Sequence, residues 1–577
     1  MSDNIETIRH SISHVLAQAV KSFHPKVKLG IGPAIEDGFY YDFDNLKITE
    51  EDLKKIEDKM REIIKKNIGI KKVLLTKKEA EKRLAGQKYK LELLKSLKDK
   101  RITFYEQDDF IDLCKGPHVK STKDIPIDAF KLTHLAGAYW KGDSKNKMLT
   151  RIYGVAFNTK HELDNYLKMK EEAEKRNHIK LGKELEIFMI SDLVGKGLPI
   201  WLPKGNIIKE EIEKLAKEME KKAGFIRVTT PHLAKKELYM MSGHLPYYEN
   251  SMYPSMKMDD GTYYLKAMNC PHHHLIYKNK LRSYRDLPLR IAEYGTVYRN
   301  ELSGTLAGLL RVRAMSMNDA HIYCRKDQIE EEFTNIIKMI KEYYKLFDLK
   351  DYWFRLSRWD PKHKEKYIDE PANWKMSEEI LRNVLKKLNV KFIEAEDEAA
   401  FYGPKIDIQF KAVSGREETM STIQLDFAAK KRFDLSYQDS SGGENKDVFV
   451  IHRAPLSTHE RFIAILIENY AGKFPVWLSP VQVIIMPIAD RHLEYSRGIE
   501  KKLLDDDVRV EVDSRSESIS KKVRDAQVQK IPIMITVGDK ELENKTLAVR
   551  TSDGKVEFGV KFDNFIEDLL KNIKNRN

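Results

Sequence analysis

The sequence predicts a multidomain protein of mixed α/β and α+β class. Its 577 residues exceed the roughly 50–250 residues of a single domain, so three or four cores are expected. The stretch 290–324 reads as strand, loop, strand. Its first run carries Ile291, Tyr294 and Val297 and ends in Arg299, Asn300 and Glu301; after a glycine-bearing loop, a return run over 309–323 brings Arg311 and Arg313 back beside Arg299. From Val481 onward, apolar strands (VQVIIMPI, RVEVD, IPIMITVG) alternate with helical segments, the pattern of an α/β domain.

Taken in order, residues 5–23 have helical periodicity. At about 100° per residue, Ile5, Ile8, Ile12, Val15 and Ala19 share one face. His10 and His14 then fall nearly opposite, one turn apart, off the stripe expected to face the core, which reads either as a pair of functional groups or as ordinary exposed histidines. An aromatic strand, GFYYDF, starts at Gly38, and a Lys/Glu-rich helical stretch runs over 50–67. Beyond YKLELL at Tyr89, the loop DLCKGPHV supplies Cys114 and His118 with three residues between them. One cysteine and three histidines at tetrahedral reach would make a zinc site. Residues 161–183 form a charged helical linker, and a further helix over 206–223 leads into FIRVTTPHL. The run VFVIHRAPLSTHERFIAILIENYAG is a strand, a turn and a helix with Arg461 near its N-terminal end.

Composition limits the function class. Hydrophobic residues make up 41% and charged residues 33%, and the sequence holds no apolar run of the ~18 residues that span a bilayer. The start, MSDNIETIRH, lacks a basic region followed by an apolar core, so no signal peptide is expected and the cytoplasm is the expected compartment. Three cysteines, Cys114, Cys270 and Cys324, make no disulfide framework in a chain of this size, so their use is chemical. A net charge of +13 suits a polyanionic partner such as RNA, or reflects only a lysine-rich surface. The arginines gathered at 290–324 suit phosphate, because the planar guanidinium binds phosphoryl oxygens bidentately and stays charged as negative charge develops.

An arginine and a glutamate at a strand end, a loop and an arginine-bearing return strand resemble motif 2 of the class II aminoacyl-tRNA synthetases. The local wording is narrower: MNCPHH at Met268, RSYRDLPLRIAEYG at Arg282, NDAHIYC at Asn318, FYGPKI at Phe401 and QLDF at Gln424 resemble the threonyl-tRNA synthetases. HSISH, DLCKGPHV and AGAYWKGDSKNKMLTRIYG resemble the editing domain of that family, a fold shared with alanyl-tRNA synthetases. The resemblance covers almost the whole chain. It implies an editing domain over 1–160, a helical linker over 161–184, a class II antiparallel-sheet catalytic domain over 185–476 and an anticodon-binding domain over 477–577. The ubiquitin-like domain that precedes the editing domain in many members is expected to be absent.

The implied reaction joins threonine to ATP and then to tRNA(Thr), in a homodimer whose pairing uses the motif 1 helix over 206–223. By resemblance, Arg299 holds the carboxylate and α-phosphate, Arg311 the γ-phosphate end and Arg461 the far side of the triphosphate, with Glu301 beside them and Mg²⁺ bridging oxygens of ATP. Cys270, His321 and His452 match the family's three ligands for one Zn²⁺ per chain. His272, His273 and His274 are equally good ligands on paper, and only the resemblance favours the dispersed set. Asp319 matches the residue that receives the substrate hydroxyl and Tyr402 one near the amino group, and Lys405 and Gln424 complete the substrate set. Serine lacks only a methyl, worth about 1–3 kcal/mol, so discrimination needs a second, hydrolytic site. His10, His14, Lys90, Asp112, Cys114 and His118 match that editing site, which in the family works without bound metal. Arg524, Glu541 and Arg550 match anticodon contacts, or are surface charges. Met317, Met315, Thr419 and Thr458 depart from the commonest bacterial pattern, which puts details of the amino-acid and ATP contacts in question. The competing reading is a synthetase-like RNA-binding protein that has lost ligation and acts as a regulator or free-standing editor.

Overall fold

A computed structural model describes residues 2–363 and 365–576, which divide into two compact units, Met1–Glu171 and Glu172–Asn577.

In the first unit the helix Ser2–Phe23 packs against Asp52–Lys65 and against an antiparallel sheet. That sheet runs Lys28–Leu29, Gly38–Asp44, Met148–Ala156, Phe130–Tyr139, with Ala34–Ile35 pairing Gly38–Asp44. A second sheet of three antiparallel strands, Ile70–Thr76, Arg101–Gln107 and Phe110–Leu113, carries the loop with Cys114 and His118 at its end. The apolar stripe of the first helix joins the core as the periodicity requires: Ile8, Ile12, Val15 and Ala19 are buried. Its opposite face departs from expectation. Residues 11–20 are all buried, and His14 is only 4% exposed. The reason is a second layer. Ser11 Oγ accepts the Val119 N–H at 3.0 Å and lies 3.1 Å from His118 Nδ1, so the 114–119 loop closes over the face carrying the histidines.

The second unit is built on an eight-stranded sheet in the order Ile226–Arg227, Leu289–Tyr298, Ala314–Cys324, Phe449–Ala454, Glu417–Asp426, Lys405–Lys411, Tyr352–Ser357, Phe392–Ala395. Its pairings are antiparallel except at the two edges, where Ile226–Arg227 and Phe392–Ala395 lie parallel to their neighbours. Apolar faces of Pro203–Lys222, Ile329–Leu346, Pro371–Lys387 and His459–Tyr470 bury against it. One charge lies deep in this core. Arg453, 1% exposed, donates to Glu220 at 2.7 Å, which in turn accepts from Asn318, so the buried guanidinium is paired rather than orphaned. The segment 161–183 becomes two helices, Lys160–Lys175 and His178–Glu184, and the second adds Leu181 to the large core.

The return strand of the arginine-bearing pair begins at Ala314 rather than near residue 309. Residues before it are held by other partners. Arg313 donates its backbone N–H to Gly197 and its Nε to Glu301 O at 2.9 Å, so that side chain pins the loop instead of joining the cluster around Arg299.

The C-terminal part of this unit is a five-stranded sheet ordered Val510–Val512, Val483–Pro487, Ile533–Val537, Thr546–Thr551, Val556–Lys561, parallel over the first three strands and antiparallel beyond. Helices cover both faces, giving one core with Leu503 and Leu569 and another with Ala526 and Met534.

Candidate active site and editing cluster

Three strands, two helices and the loops between them bring the predicted catalytic groups into one cavity of about 260 Å³, lined by Arg299, Glu301, Arg311, Asp319, Tyr402, Gln424 and Arg461 together with Cys270, His321 and His452. A larger cavity of about 540 Å³ elsewhere in the unit holds none of the residues singled out from the sequence. Arg299 stands at the end of Leu289–Tyr298, and its buried Nε has no protein partner. Arg311 Nε donates to Glu301 at 2.9 Å. Arg461, in the first turn of His459–Tyr470, donates Nε to Leu310 O at 3.1 Å, tying the loop before the return strand to the helix. Burial lowers the Arg461 pKa; Glu418 and Glu301 oppose that, and the nearby charges of Arg299 and Arg311 add to it. Guanidinium groups held against mutual repulsion favour a polyanion between them.

The cysteine and the two dispersed histidines converge by strand register. His321 and His452 are cross-strand partners, and their rings lie 4.5 Å apart. Cys270 opens the helix Cys270–Lys278, and the three donor atoms lie within 4.8 Å of one another in a buried group. Of the neighbouring histidines, His274 bonds Tyr323 Oη at 2.9 Å and His273 stands behind His321, Nδ1 to Nδ1 at 2.8 Å. A carboxylate orients each ligand ring: His452 Nε2 meets Asp426 at 3.1 Å, and His273 carries His321 to Glu293 at 3.1 Å. Burial opposes the charge on Glu293, but bonds from His273 and the Thr230 N–H, with the Lys266 ammonium, outweigh it and hold the pKa at about 2. Such carboxylate–histidine pairs fix tautomer and ring direction around a metal. Burial pushes the Cys270 thiol well above its ordinary value, with Asp319 and Asp426 adding to the effect; a dication among the three donors would reverse it.

Asp319 is placed by a glycine. A Cβ at Gly295 would meet Asn269 Oδ1 at 2.2 Å, and with that space free Asn269 donates to Asp319 at 3.0 Å. Tyr402 stacks on His452 at 5.2 Å and its hydroxyl donates to Gln424. Lys405 is set apart: it lies across the ladder from Gln424, and its Nζ is committed to Asp407 at 2.9 Å. Met315 and Met317 line the cavity beside Val312. Between them Ser316 pairs with Thr296 on one side, but Phe449–Ala454 on the other pairs only from Ala320 on, and the Ser316 N–H goes to buried Glu460 at 3.0 Å.

In the first unit His10, His14, Cys114 and His118 bring their donor atoms within 4.8 Å of one another. Cys114 Sγ lies 3.2 Å from His10 Nε2 and 3.3 Å from His118 Nε2. Beneath them Asp112 receives Lys90 at 2.6 Å and the Tyr41 hydroxyl at 2.5 Å, with His14 at 3.8 Å. Burial lowers His10, lowers His14 well below its ordinary value and takes His118 to about 2, while raising the Cys114 thiol to about 11. The rings are therefore neutral bases and the sulfur a thiol. Arg524 is exposed on Ile519–Val528, Arg550 lies on Thr546–Thr551, and Glu541 accepts the Gly538 N–H at 3.0 Å at the start of Asp539–Asn544.

Several groups here were not anticipated from sequence: Asp426, Glu293, Tyr41, Glu460 and His178; His273, a ligand on paper, stands instead behind His321. Asp426 stands within the QLDF run and Glu460 beside Arg461, but nothing local marks either as a partner. His178 accepts the Leu309 N–H at 3.2 Å and meets Glu468 at 2.7 Å, two contacts whose sequence separations of 131 and 290 no local pattern encodes.

Comparison with known proteins agrees with these parts. Residues 253–470 match the model of the tRNA synthetase class II core domain (G, H, P, S and T), 482–572 that of an anticodon binding domain, and 102–153 that of the threonyl and alanyl tRNA synthetase second additional domain. The chain is 48% identical to the threonine–tRNA ligase of Oceanobacillus iheyensis, over 100% of this chain and 89% of the relative. It is equally 48% identical to that of Listeria welshimeri, over 99% and 90%. A crystal structure of the RNA binding domain of threonyl-tRNA synthetase from Cryptosporidium parvum superposes with a TM-score of 0.65 at 32% identity, covering 68% of this chain and 98% of that one. With an additional domain, a core and an anticodon-binding domain in this order, and near-half identity along the whole length, the chain belongs to the threonine–tRNA ligases, a family of class II aminoacyl-tRNA synthetases.

Proposed function

We propose that this chain activates threonine with ATP, transfers it to tRNA(Thr) and hydrolyses serine wrongly attached to that tRNA. One observation supports the first step above all: three arginines and a Cys, His, His donor set open onto a single cavity. Arg299 grips the threonine carboxylate and α-phosphate, Arg311 the γ-phosphate end and Arg461 the far side, with Mg²⁺ arriving on ATP. Glu301 keeps Arg311 aimed. Catalysis is then positioning plus stabilisation of developing charge. One thiol and two imidazoles, each imidazole braced by a carboxylate system, fit zinc and leave a fourth position open. When bound, zinc supplies a Lewis acid that distinguishes threonine from valine, which no apolar pocket of the same shape does well. Asp319 receives the threonine hydroxyl and Tyr402 sits beside the amino group, while Gln424 completes that wall and Lys405, across the ladder from Gln424 and paired to Asp407, stands outside it.

The quartet His10, His14, Cys114 and His118, with Lys90 and Asp112, is the editing site. It holds the terminal adenosine and directs water at the serine ester, the neutral imidazoles and Lys90 steering the proton. Arg524, Glu541 and Arg550 read the anticodon. The domains run 1–160, 161–184, 185–476 and 477–577; two chains pair through Pro203–Lys222; and the enzyme works in the cytoplasm. Among the described residues no helix is long and apolar enough to cross a membrane.

Threonine-dependent ATP–pyrophosphate exchange tests the reading. Exchange with threonine, abolished by Arg299→Ala, is expected; none from the unaltered protein favours the RNA-binding alternative.

A further inference from the structure

The exposed ring of Phe558 has no structural employment. It is 75% exposed, and it joins neither apolar cluster of the C-terminal sheet. It stands on Val556–Lys561, which ends the sheet order, where an exposed aromatic invites unwanted pairing and charged side chains are the usual protection. A backbone irregularity aims it. Leu547 pairs with Val560 and Val549 with Glu557, so Phe558 and Gly559 together face the single residue Ala548. Gly559 takes φ +72°, in the left-handed region, and a Cβ built on it would meet nothing within 4 Å, so the space beside the ring is open. Bulges of this kind redirect a side chain and break pairing at a sheet edge.

Cations flank the position. Arg550 pairs with Val556 on one side and Lys561 with Thr546 on the other, so Phe558 lies between two positive side chains along one hairpin. The diagonal step from Arg550 to the ring is about 7–8 Å between Cα positions, comparable with the separation of a base from its own phosphate. The Lys561 end adjoins Asp539–Asn544, whose Glu541 stands at the carboxyl edge of the parallel strands, and ligands of open α/β sheets collect at that edge.

We propose that Phe558 is a stacking platform for an unpaired base of the bound tRNA, in its anticodon loop, with Arg550 and Lys561 engaging the adjoining phosphates. The inference rests on the proposed tRNA-charging function and adds a contact to it. An unpaired base is the fitting ligand because a π face is available only where a base has left its helix, and stacking tolerates any base while the cations hold the backbone.

The test uses the full chain with Phe558→Ala, Phe558→Leu and Phe558→Trp. The side chain buries no core surface, so all three should melt as the wild type does. In steady-state charging of a tRNA(Thr) transcript, Ala and Leu should raise the KM for tRNA about tenfold, with kcat and pyrophosphate exchange unchanged, and Trp should restore wild-type behaviour. Leu keeps the apolar bulk without the π face. A KM for Phe558→Ala within a factor of about two of wild type, or wild-type behaviour of Phe558→Leu, overturns the stacking role. If the unaltered protein charges no tRNA, the functional reading fails instead, and titration of a labelled anticodon stem-loop transcript decides Phe558 by itself: equal affinity in wild type and Phe558→Ala overturns the inference, and weaker binding by the variant supports it.

Discussion

Replacing His178 with Ala should weaken ATP use more than threonine use, although the residue lines no part of the cavity. Its ring, 3% exposed, accepts the Leu309 N–H through Nε2 at 3.2 Å and gives Nδ1 to Glu468 at 2.7 Å. Those partners fix the tautomer, since a ring that accepts at Nε2 carries its proton on Nδ1. The contact is close enough that a Cβ at Gly308, where φ is +54°, would meet Nε2 at 2.3 Å. Leu309 precedes Leu310, whose carbonyl takes Arg461 Nε, and then Arg311; Glu468 lies on the helix that carries Arg461. One imidazole therefore locks the loop and the helix that present Arg311 and Arg461, the two arginines proposed to hold the triphosphate. Removing it leaves a buried N–H and a largely buried carboxylate without this partner, each costing about 1–3 kcal/mol. If one or two kcal/mol of that is lost from the arranged loop, the KM for ATP in pyrophosphate exchange rises about 5- to 30-fold. The KM for threonine should change little, because Asp319 and Tyr402 are held by Asn269 and Gln424, away from this loop. His178→Gln, with a carbonyl for Leu309 and an amide for Glu468, should recover part of the loss. A lowered melting temperature with both KM values unchanged, or both rising equally, would refute the coupling.

Other outcomes follow from the same contacts. Cys270→Ser should abolish zinc retention; unchanged zinc by elemental analysis would show the wrong ligands have been named. Asp426→Asn, behind His452, should weaken zinc affinity about 10- to 100-fold in a chelator competition while leaving the fold intact. Burial raises the Glu460 carboxyl to about 7, so from about pH 4.5 to about pH 7 the folded chain keeps a proton that the unfolded chain has released. Stability from this group is fullest at the acid end and falls by about 3 kcal/mol as pH rises through the window, and Glu460→Gln, which still accepts from Ser316, should flatten that dependence in thermal unfolding. Changing His10 and His14 together to Ala should let Ser-tRNA accumulate while threonylation continues; undiminished deacylation removes both from the mechanism.

What could be read from the residues follows the range of the interactions. The strand pair carrying Arg299 and the alternation after Val481 are local patterns, and both elements are present. The return strand starts later than its apolar and basic residues 309–313 suggest, because only the fold turns the donors of Arg313 to Gly197 and Glu301. The same limit applies to His14. Helical periodicity correctly put it off the Ile8–Ile12–Val15 stripe, but it identifies the most apolar face and says nothing of a second layer, here a loop about a hundred residues away. Cys270, His321 and His452 were separable from His272, His273 and His274 only by resemblance, because their convergence is a matter of register: His321 faces His452 across two strands that are 125 residues apart by the end of the sheet ladder.

The two Cys/His clusters show why donor count is a poor guide to metal. The N-terminal cluster has four donors and the catalytic one three, yet the charged groups beside them differ. Near Cys270 the neighbouring charges that act on the thiol are Asp319 and Asp426, and a third carboxylate, Glu293, backs His321 through His273. Cys270, His321 and His452 would favour a dication there, which would supply a Lewis acid to a substrate. Near the N-terminal quartet Asp112 and Lys90 act in opposite directions on His10 and on the Cys114 thiol, and Asp112 already holds the Lys90 ammonium at 2.6 Å and the Tyr41 hydroxyl. A dication entering the quartet would meet that ammonium, with the nearest carboxylate, Asp112, already paired to it. Its sulfur also lies 3.2 and 3.3 Å from two of the imidazoles, so the donors satisfy one another without an ion. Burial suits the quartet to hydrolysis: it keeps the imidazoles neutral, able to accept a proton from water beside an ester carbonyl. Lys90→Met should therefore raise the zinc affinity of the N-terminal cluster while impairing Ser-tRNA hydrolysis. Zinc titration of the full chain separates the two clusters once Cys270→Ser has removed the catalytic one, and unchanged affinity at the N-terminal cluster would show that Lys90 does not set its preference.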